Sequence, residues 1–428
     1  MNTLNEIYRE LKEGKIKLYQ LENVILEGVY NSDKSKFVEA NKDAVDLRLK
    51  FLEEGKGRQF ENIKKYFISI ADPEKQTTGI EQQIGSSSVP LGISGPLKIL
   101  GEHAQGDFWL PVATNEAALI AGLSRGCSAI NKSGGIKVVV TDDKMTRAPL
   151  VELPDIKKAK ELVQEIKKKG ELYNKIKEAS EKESKVSKLL DIQPFQLGRH
   201  VYLRFCFNTG DAMGMNSVTK YSANGVKALR EAVPDVKLIT LTGNMCTDKK
   251  ASHINVLLGR GKSVEVEIVL KKDVIREVFD VNPEELVKLT KLKNYKGTSL
   301  AGSFSGYNAN VANTIAAMFI ATGQDAAQVV ESSSAFVDME IIGEDVLLTA
   351  SFPCLEVATV GGGTGFGTAK ECLEILGCFG PGNPAGANSR KLAEIIAAAA
   401  TAQDLNLLAA QAHEYELAES HIRLARGK

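Results

Sequence analysis

Apolar residues recur at helical spacing near the start of the chain: Leu4, Ile7, Tyr8 and Leu11, then Leu18, Leu21 and Val24, with charged residues between them. That period predicts short amphipathic helices, a separate helical unit over residues 1–70. From 79 to 106 the texture changes to Gly, Ser, Pro and β-branched residues, as in strands and loops. Thr114 then predicts the cap of an apolar helix running through Ala117, Leu119 and Leu123 to Ile130. Residues 137–141 (KVVVT) read as a strand. Residues 155–184 read as one long lysine-rich helix, with Ile156, Ala159, Leu162 and Ile166 as its apolar stripe and a solvated charged face.

A strand at 200–207, a helix at 217–232 and a strand at 236–241 follow. With the apolar run 150–153 and a short element near residue 190, this stretch has the order β-α-β-β-α-β, that of a ferredoxin-like module set between Arg147 and Thr242. Further on come a strand at 264–270, a helix at 308–321, a strand at 345–351, a glycine-rich loop at 361–367 and alanine-rich helices from 387 to 412. At 428 residues the chain is too long for one ordinary core. The expected fold class is α+β: the helical unit 1–70, a large mixed α/β domain around a central helix (71–148 and 241–415), the small ferredoxin-like insert 149–240, and a mobile basic tail, 416–428.

Charge narrows the function. Lys+Arg and Asp+Glu both number 54, so no net field gathers nucleic acid or an anionic membrane, and any anion must be held by local charge. The six cysteines, Cys127, Cys206, Cys246, Cys354, Cys372 and Cys378, form no CxxC pair and lack histidine neighbours at zinc spacing. Free thiols in a reducing compartment, and no metal site, are expected. No apolar run approaches the about 20 residues that cross a bilayer, 395–402 being short, and residues 1–17 are charged rather than a signal peptide. A soluble cytoplasmic protein is expected.

Several polar groups then stand out from the apolar pattern. Residues 242–250 (TGNMCTDKK) place two ammonium groups beside a carboxylate in one loop, which suits an anionic substrate and a developing oxyanion, although a solvated charged turn has the same composition. Glu116, after Thr114, is either a first-turn carboxylate favoured by the helix dipole or a partly buried acid of raised pKa. Asp325, in GQDAAQ, is either a helix cap or a functional carboxylate. His421 lies alone in the tail. Residues 211–216 (DAMGMN) precede a helix, where free amides can take a phosphate, or form an ordinary capped turn. The run 361–367 (GGGTGFG) fits GxGxxG in no register, and 261–263 (GKS) has Val256 where a P-loop needs glycine. Any nucleotide is therefore held in another way.

Taken together, the stretches PLGISGPL (90–97), ATNEAALIAGLSRG (113–126), KMTRAP (144–149), GDAMGMN (210–216), TGNMCTDKK (242–250), AGSFSGYNANVAN (301–313), GQDAAQ (323–328), TVGGGTG (359–365) and SH (420–421) resemble 3-hydroxy-3-methylglutaryl-coenzyme A reductases. The match is to the form whose lysine lies in a TDKK loop, and to members without a membrane anchor. The resemblance implies a large acyl-CoA-binding domain, an NADPH-binding small insert, and a homodimer or dimer of dimers with the active site at the subunit boundary. The implied reaction reduces 3-hydroxy-3-methylglutaryl-CoA to mevalonate and coenzyme A by two hydride transfers.

On that resemblance Lys249 faces the carbonyl oxygen, Glu116 is the general acid, Asp325 bridges the two, and His421 protonates the departing thiolate. Arg147, Lys250 and Lys293 match contacts to the substrate carboxylate, Asn313 a polar ligand, Thr242 a position where many relatives have serine, and Arg125 a coenzyme A phosphate contact. Asp211, Met213, Gly214, Met215 and Asn216 match the dinucleotide site. Where relatives carry arginine for the extra phosphate of NADPH this chain offers Lys185 or Lys188, which leaves NADH as an alternative, with mevalonate oxidation as the alternative direction. A non-catalytic acyl-CoA-binding relative would lack one of the four polar residues Glu116, Lys249, Asp325 and His421, and none is missing.

Overall fold

The computed structural model describes residues 3–61, 63, 71–72, 77–413, 415–416 and 418–419. The chain divides into two compact units, Met1–Pro90 and Leu91–Lys428. The first therefore runs past residue 70, the limit drawn from helical spacing.

In the first unit, Thr3 and Glu6 form a capping box that starts helix Leu4–Lys12. Helices Leu21–Gly28 and Phe37–Lys56 pack with it around Ile7, Leu11, Ile25, Phe37 and Ala44. A buried ion pair, Arg48 with Glu22 at 2.5 Å, lies among these helices.

The second unit is built on a mixed sheet and one long helix. Strands Phe336–Ile342, Asp345–Leu355, Gly261–Leu270 and Ile136–Arg147 pair antiparallel in that order. The hairpin Leu91–Gly101/Gln105–Ala113 joins the start of Ile136–Arg147 in parallel. Alternating inward residues such as Val264, Val266, Ile268 and Leu270 face helix Ala387–Ala412.

That stretch is one unbroken helix of 26 residues, not several, because no glycine or proline interrupts it and core surrounds almost every turn. It is the one described helix long and apolar enough to span a bilayer, and it is buried inside the domain instead. Its alanines let neighbours come close. A Cβ at Gly126 of helix Leu119–Lys132 would lie 2.0 Å from the Ala402 carbonyl oxygen, so this crossing requires glycine. Two carboxylates on the helix tie down loops: Glu394 accepts from the amides of His103 and Ala104, and Asp404 from those of Ala309 and Asn310.

Strand Ile136–Arg147 runs on past the large sheet, and its last residues pair with His200–Asn208 of a smaller sheet. There the order is Lys188–Leu197, His200–Asn208, Leu150–Glu152, Lys237–Thr240, all antiparallel, with its own core around Val151, Leu162, Ile176, Phe205 and Leu229. The chain order is β-α-β-β-α-β, with the first helical stretch in two pieces. The expected single helix 155–184 breaks because Lys169 turns left-handed (φ 53°) before Gly170, giving Ile156–Lys168 and Glu171–Glu181. Ile156 is 63% exposed, so the buried stripe is Ala159, Leu162 and Ile166. The helix expected from Thr114 starts only at Leu119, because Ala118 is left-handed (φ 71°).

Candidate active site

The lysine loop leaves strand Lys237–Thr240 and ends at Ser252, which caps helix His253–Leu258. Asn244, Thr247 and Lys249 all have positive φ (64°, 52° and 58°). Such a backbone costs on the order of 1–2 kcal/mol per residue without glycine, so surrounding contacts must hold it. The Lys249 ammonium meets Asp325 Oδ2 at 2.8 Å. The other oxygen of Asp325 accepts the Ala327 amide at 3.1 Å, capping the turn Ala326–Gln328, so the cap and the charge partner are one residue. The hydrogen bond that Lys249 donates to Asp325 raises its pKa above the ordinary value, against the opposing effect of burial.

Asp248, one residue earlier, accepts from Arg260 Nη2 at 2.9 Å and from Gln328 Nε2 at 3.1 Å. Burial opposes its ionisation, but Arg260, Gln328 and Arg147 together hold its carboxyl below the usual range. Arg147, only 9% exposed, reaches Thr242 Oγ1 at 3.4 Å, and its buried Nε has no partner among the described residues.

Arg147, Asp248, Lys249 and Asp325 line a cleft of about 670 Å³. Its other wall is formed by residues 212–217, leading into helix Met215–Ala232, and by the glycine run 360–364. Gly323 (φ 68°) is pressed against that run, where a Cβ would stand 2.4 Å from the Gly363 carbonyl oxygen. Amides at a helix start beside exposed glycine backbone, with an arginine opposite, fit the phosphates of a dinucleotide.

Met213, Gly214, Met215 and Asn216 thus lie in the cleft wall, but Asp211 does not. Its buried carboxylate is taken up by the amides of Gly382, Gly386 and Ser389 at 2.7–2.9 Å, so it fastens the chain rather than facing a ligand. Lys185 is exposed and outside the cleft wall. Lys250 donates to the Asp248 carbonyl at 3.0 Å. Lys293 is half-buried on the π-helical segment Lys291–Gly297, where its charge acts on Asp404.

Glu116 precedes its helix instead of lying in the first turn, and it is exposed instead of partly buried. The Glu116 amide donates to Thr114 Oγ1 at 2.9 Å, and its carboxylate accepts from Asn313 Nδ2 at 3.0 Å. Arg125 pairs with Glu416, donates to the Val278 carbonyl at 2.9 Å and lies over the Phe279 ring. His421 lies outside the described residues.

Residues 44–426 match the sequence model of hydroxymethylglutaryl-coenzyme A reductase. The chain belongs to that family. It is 41% identical to the 3-hydroxy-3-methylglutaryl-coenzyme A reductase of Pyrococcus abyssi, over 99% of this chain and all of the relative. It is 44% identical to that of Aeropyrum pernix, over 91% of this chain and 90% of the relative. Among solved structures it shares its fold with the class II reductase of Streptococcus pneumoniae bound to NADPH in open conformations. That likeness has a TM-score of 0.64 at 18% identity and covers 86% of this chain and 96% of the other.

For a member of this family the sequence left one layer out. Beneath the lysine loop lie the fully buried charges Arg260, Glu331 and Glu356. Their one sequence signal is weak: Arg260, between two glycines, immediately precedes a strand whose inner face is apolar from Val264 onward.

Proposed function

We propose that this chain reduces 3-hydroxy-3-methylglutaryl-CoA to mevalonate and free coenzyme A with NADPH as reductant. The observation that carries the reading is the Lys249–Asp325 ion pair in the wall of a cleft that also contains a helix start and a glycine run. NADPH, when bound, supplies the hydride for each of two reductions; Met213, Gly214, Met215 and Asn216 would hold it, with Lys185 or Lys188 for its extra phosphate.

Each reduction puts negative charge on a carbonyl oxygen, and the Lys249 ammonium faces that oxygen. Asp325 keeps the ammonium charged and aimed. Glu116, oriented by Asn313, delivers the proton that converts alkoxide to alcohol. Between the reductions the hemithioacetal returns its hydroxyl proton to the Glu116 carboxylate as the carbon–sulfur bond breaks, giving the aldehyde and a thiolate, and His421 protonates that sulfur, whose ordinary pKa is about 8.5. Arg147, whose buried Nε has no partner among the described residues, holds the free carboxylate with Lys250 and Lys293 near Thr242, and Arg125 takes a coenzyme A phosphate in place of Glu416.

No hydrogen bond or ion pair among the described residues of one chain joins the Glu116–Asn313 pair to the Lys249–Asp325 pair, which supports a homodimer whose site closes between two copies. The buried, unpaired cysteines support a reducing, cytoplasmic setting. The test is to mix the purified chain with 3-hydroxy-3-methylglutaryl-CoA and NADPH, with NADH in parallel, and follow nicotinamide absorbance. Consumption of two reduced nicotinamides per coenzyme A thiol released is expected; no fall with either cofactor rejects the reading.

A further inference from the structure

The lysine loop is held in its left-handed path from below by a single carboxylate. Glu331, 1% exposed, accepts the backbone amides of both Lys249 and Lys250 on Oε1, the second at 3.3 Å. Its Oε2 accepts from Arg260 Nη1 at 2.6 Å and Asn255 Nδ2 at 3.1 Å. The contacts to Arg260 and Asn255 are buried and the two to the loop amides part-buried on the fully buried Glu331 carboxylate, so water cannot replace them cheaply. Arg260 reaches the loop a second time, through Asp248.

Glu331 lies on the short helix Val329–Ser332, which directly continues the turn Ala326–Gln328 capped by Asp325. One rigid segment therefore supplies the anchor of the lysine backbone, Glu331, and the partner of the lysine ammonium, Asp325. Gln328, between them, donates to Asp248. Backbone and side chain of Lys249 are registered against the same few residues.

We propose that Glu331 is a positioning residue for the reduction: its buried carboxylate sets the backbone of Lys249 so that the ammonium stands at the reacting carbonyl oxygen. The inference rests on the reading of Lys249 given under Proposed function. Displacement of a reacting group by 1 Å costs about a hundredfold in rate, and that is the loss expected when the anchor is removed.

The test compares Glu331→Gln with Glu356→Gln in the full chain. Glu356 contacts the same Arg260 guanidinium but neither loop amide, and burial pushes its carboxyl well up, so glutamine mimics its neutral form. In Glu331→Gln the single amide oxygen stays with Arg260 and Asn255 and the NH2 is turned against the loop amides, so kcat should fall about a hundredfold, NADPH affinity should hold, and the amides of Lys249 and Lys250 should exchange hydrogen faster. Glu356→Gln should keep its kcat. An unchanged kcat in folded Glu331→Gln, or an equal loss in both variants, overturns the proposal. If Glu331→Gln does not fold, Glu331→Asp, which keeps the charge beside Arg260 but withdraws the oxygen from the loop, is judged by the same readouts. Lys249→Ala separates the two levels: full activity there rejects the role of the lysine itself, whereas an inactive Lys249→Ala beside an active Glu331→Gln rejects only the positioning role.

Discussion

The ammonium of Lys249 and the carboxylate of Asp325 lie 2.8 Å apart, yet only Oδ2 of Asp325 is committed to the lysine; Oδ1 caps the turn that follows. The two tasks are separable by substitution. Asp325→Asn keeps an oxygen for the Ala327 amide and loses the charge, whereas Asp325→Ala loses both. Both variants should lose turnover, but only Asp325→Ala should lose stability, by about 1 kcal/mol, the usual worth of a cap. Steady-state kinetics beside urea unfolding makes the comparison, and equal stability losses in the two variants would show that the cap is not what the alanine removes.

Lys249→Ala should leave the fold intact, because the lysine is exposed. Turnover should fall by about a hundred- to a thousandfold, the usual cost of removing one donor from a developing oxyanion. Circular dichroism confirms the fold and the kcat decides. An ordinary kcat would take the lysine out of the mechanism.

How much of this was visible along the chain depends on the range of the interactions. Lys249 and Asp325 could be found because charge interrupts an apolar pattern, and the β-α-β-β-α-β order because strand and helix periods are local. The left-handed residues Ala118 and Lys169, which move one helix start and split another helix, carry no side-chain signal for that conformation. Asp211 was read as a ligand contact because its neighbours form a phosphate-type loop. Its actual partners, Gly382, Gly386 and Ser389, lie 171 to 178 positions away. Arg260 finds Glu331 and Glu356 at separations of 71 and 96, so no local pattern could announce that buried cluster.

Gly323 meets backbone, which cannot move aside as a side chain can. A methyl there would stand 2.4 Å from the Gly363 carbonyl oxygen, at a positive φ that alanine resists. Gly323→Ala should cost about 1–3 kcal/mol of stability by overpacking. Because Gly363 belongs to the cleft wall, dinucleotide affinity should drop with it. Thermal unfolding and cofactor titration measure the two losses; a variant with unaltered melting and affinity would mean that the glycine run yields freely.

Asp404 makes a pH prediction. Burial raises its carboxyl to about 6, against the amide hydrogen bonds from Asn310 and Ala309 that favour the ion. Between its ordinary value near 4 and about 6 the folded chain holds a proton that the unfolded chain has released. The contribution of this group to stability is therefore largest at acid pH and falls as pH rises to about 6, by on the order of 3 kcal/mol. The stability of the parent relative to Asp404→Asn should decline across that window and level off above it. Denaturant unfolding at a series of pH values checks this. A relative stability that rises with pH would mean that the loop amides outweigh burial.

Glu116 pairs with Asn313 and Lys249 with Asp325, and under the proposed function a two-fold pairing of chains brings one pair from each copy into a shared site. Glu116→Ala and Lys249→Ala are each expected to be inactive alone. If the site closes between copies, a mixed dimer assembles one site with both residues intact and one with neither, so co-refolding the two inactive variants should restore activity. The restored rate should track the mixed-dimer fraction, measured by tagging one variant. If both residues serve the same site from one chain, every site in the mixture lacks one of them and no activity returns, which would reject the shared site while leaving the chemistry assigned to Lys249 untouched.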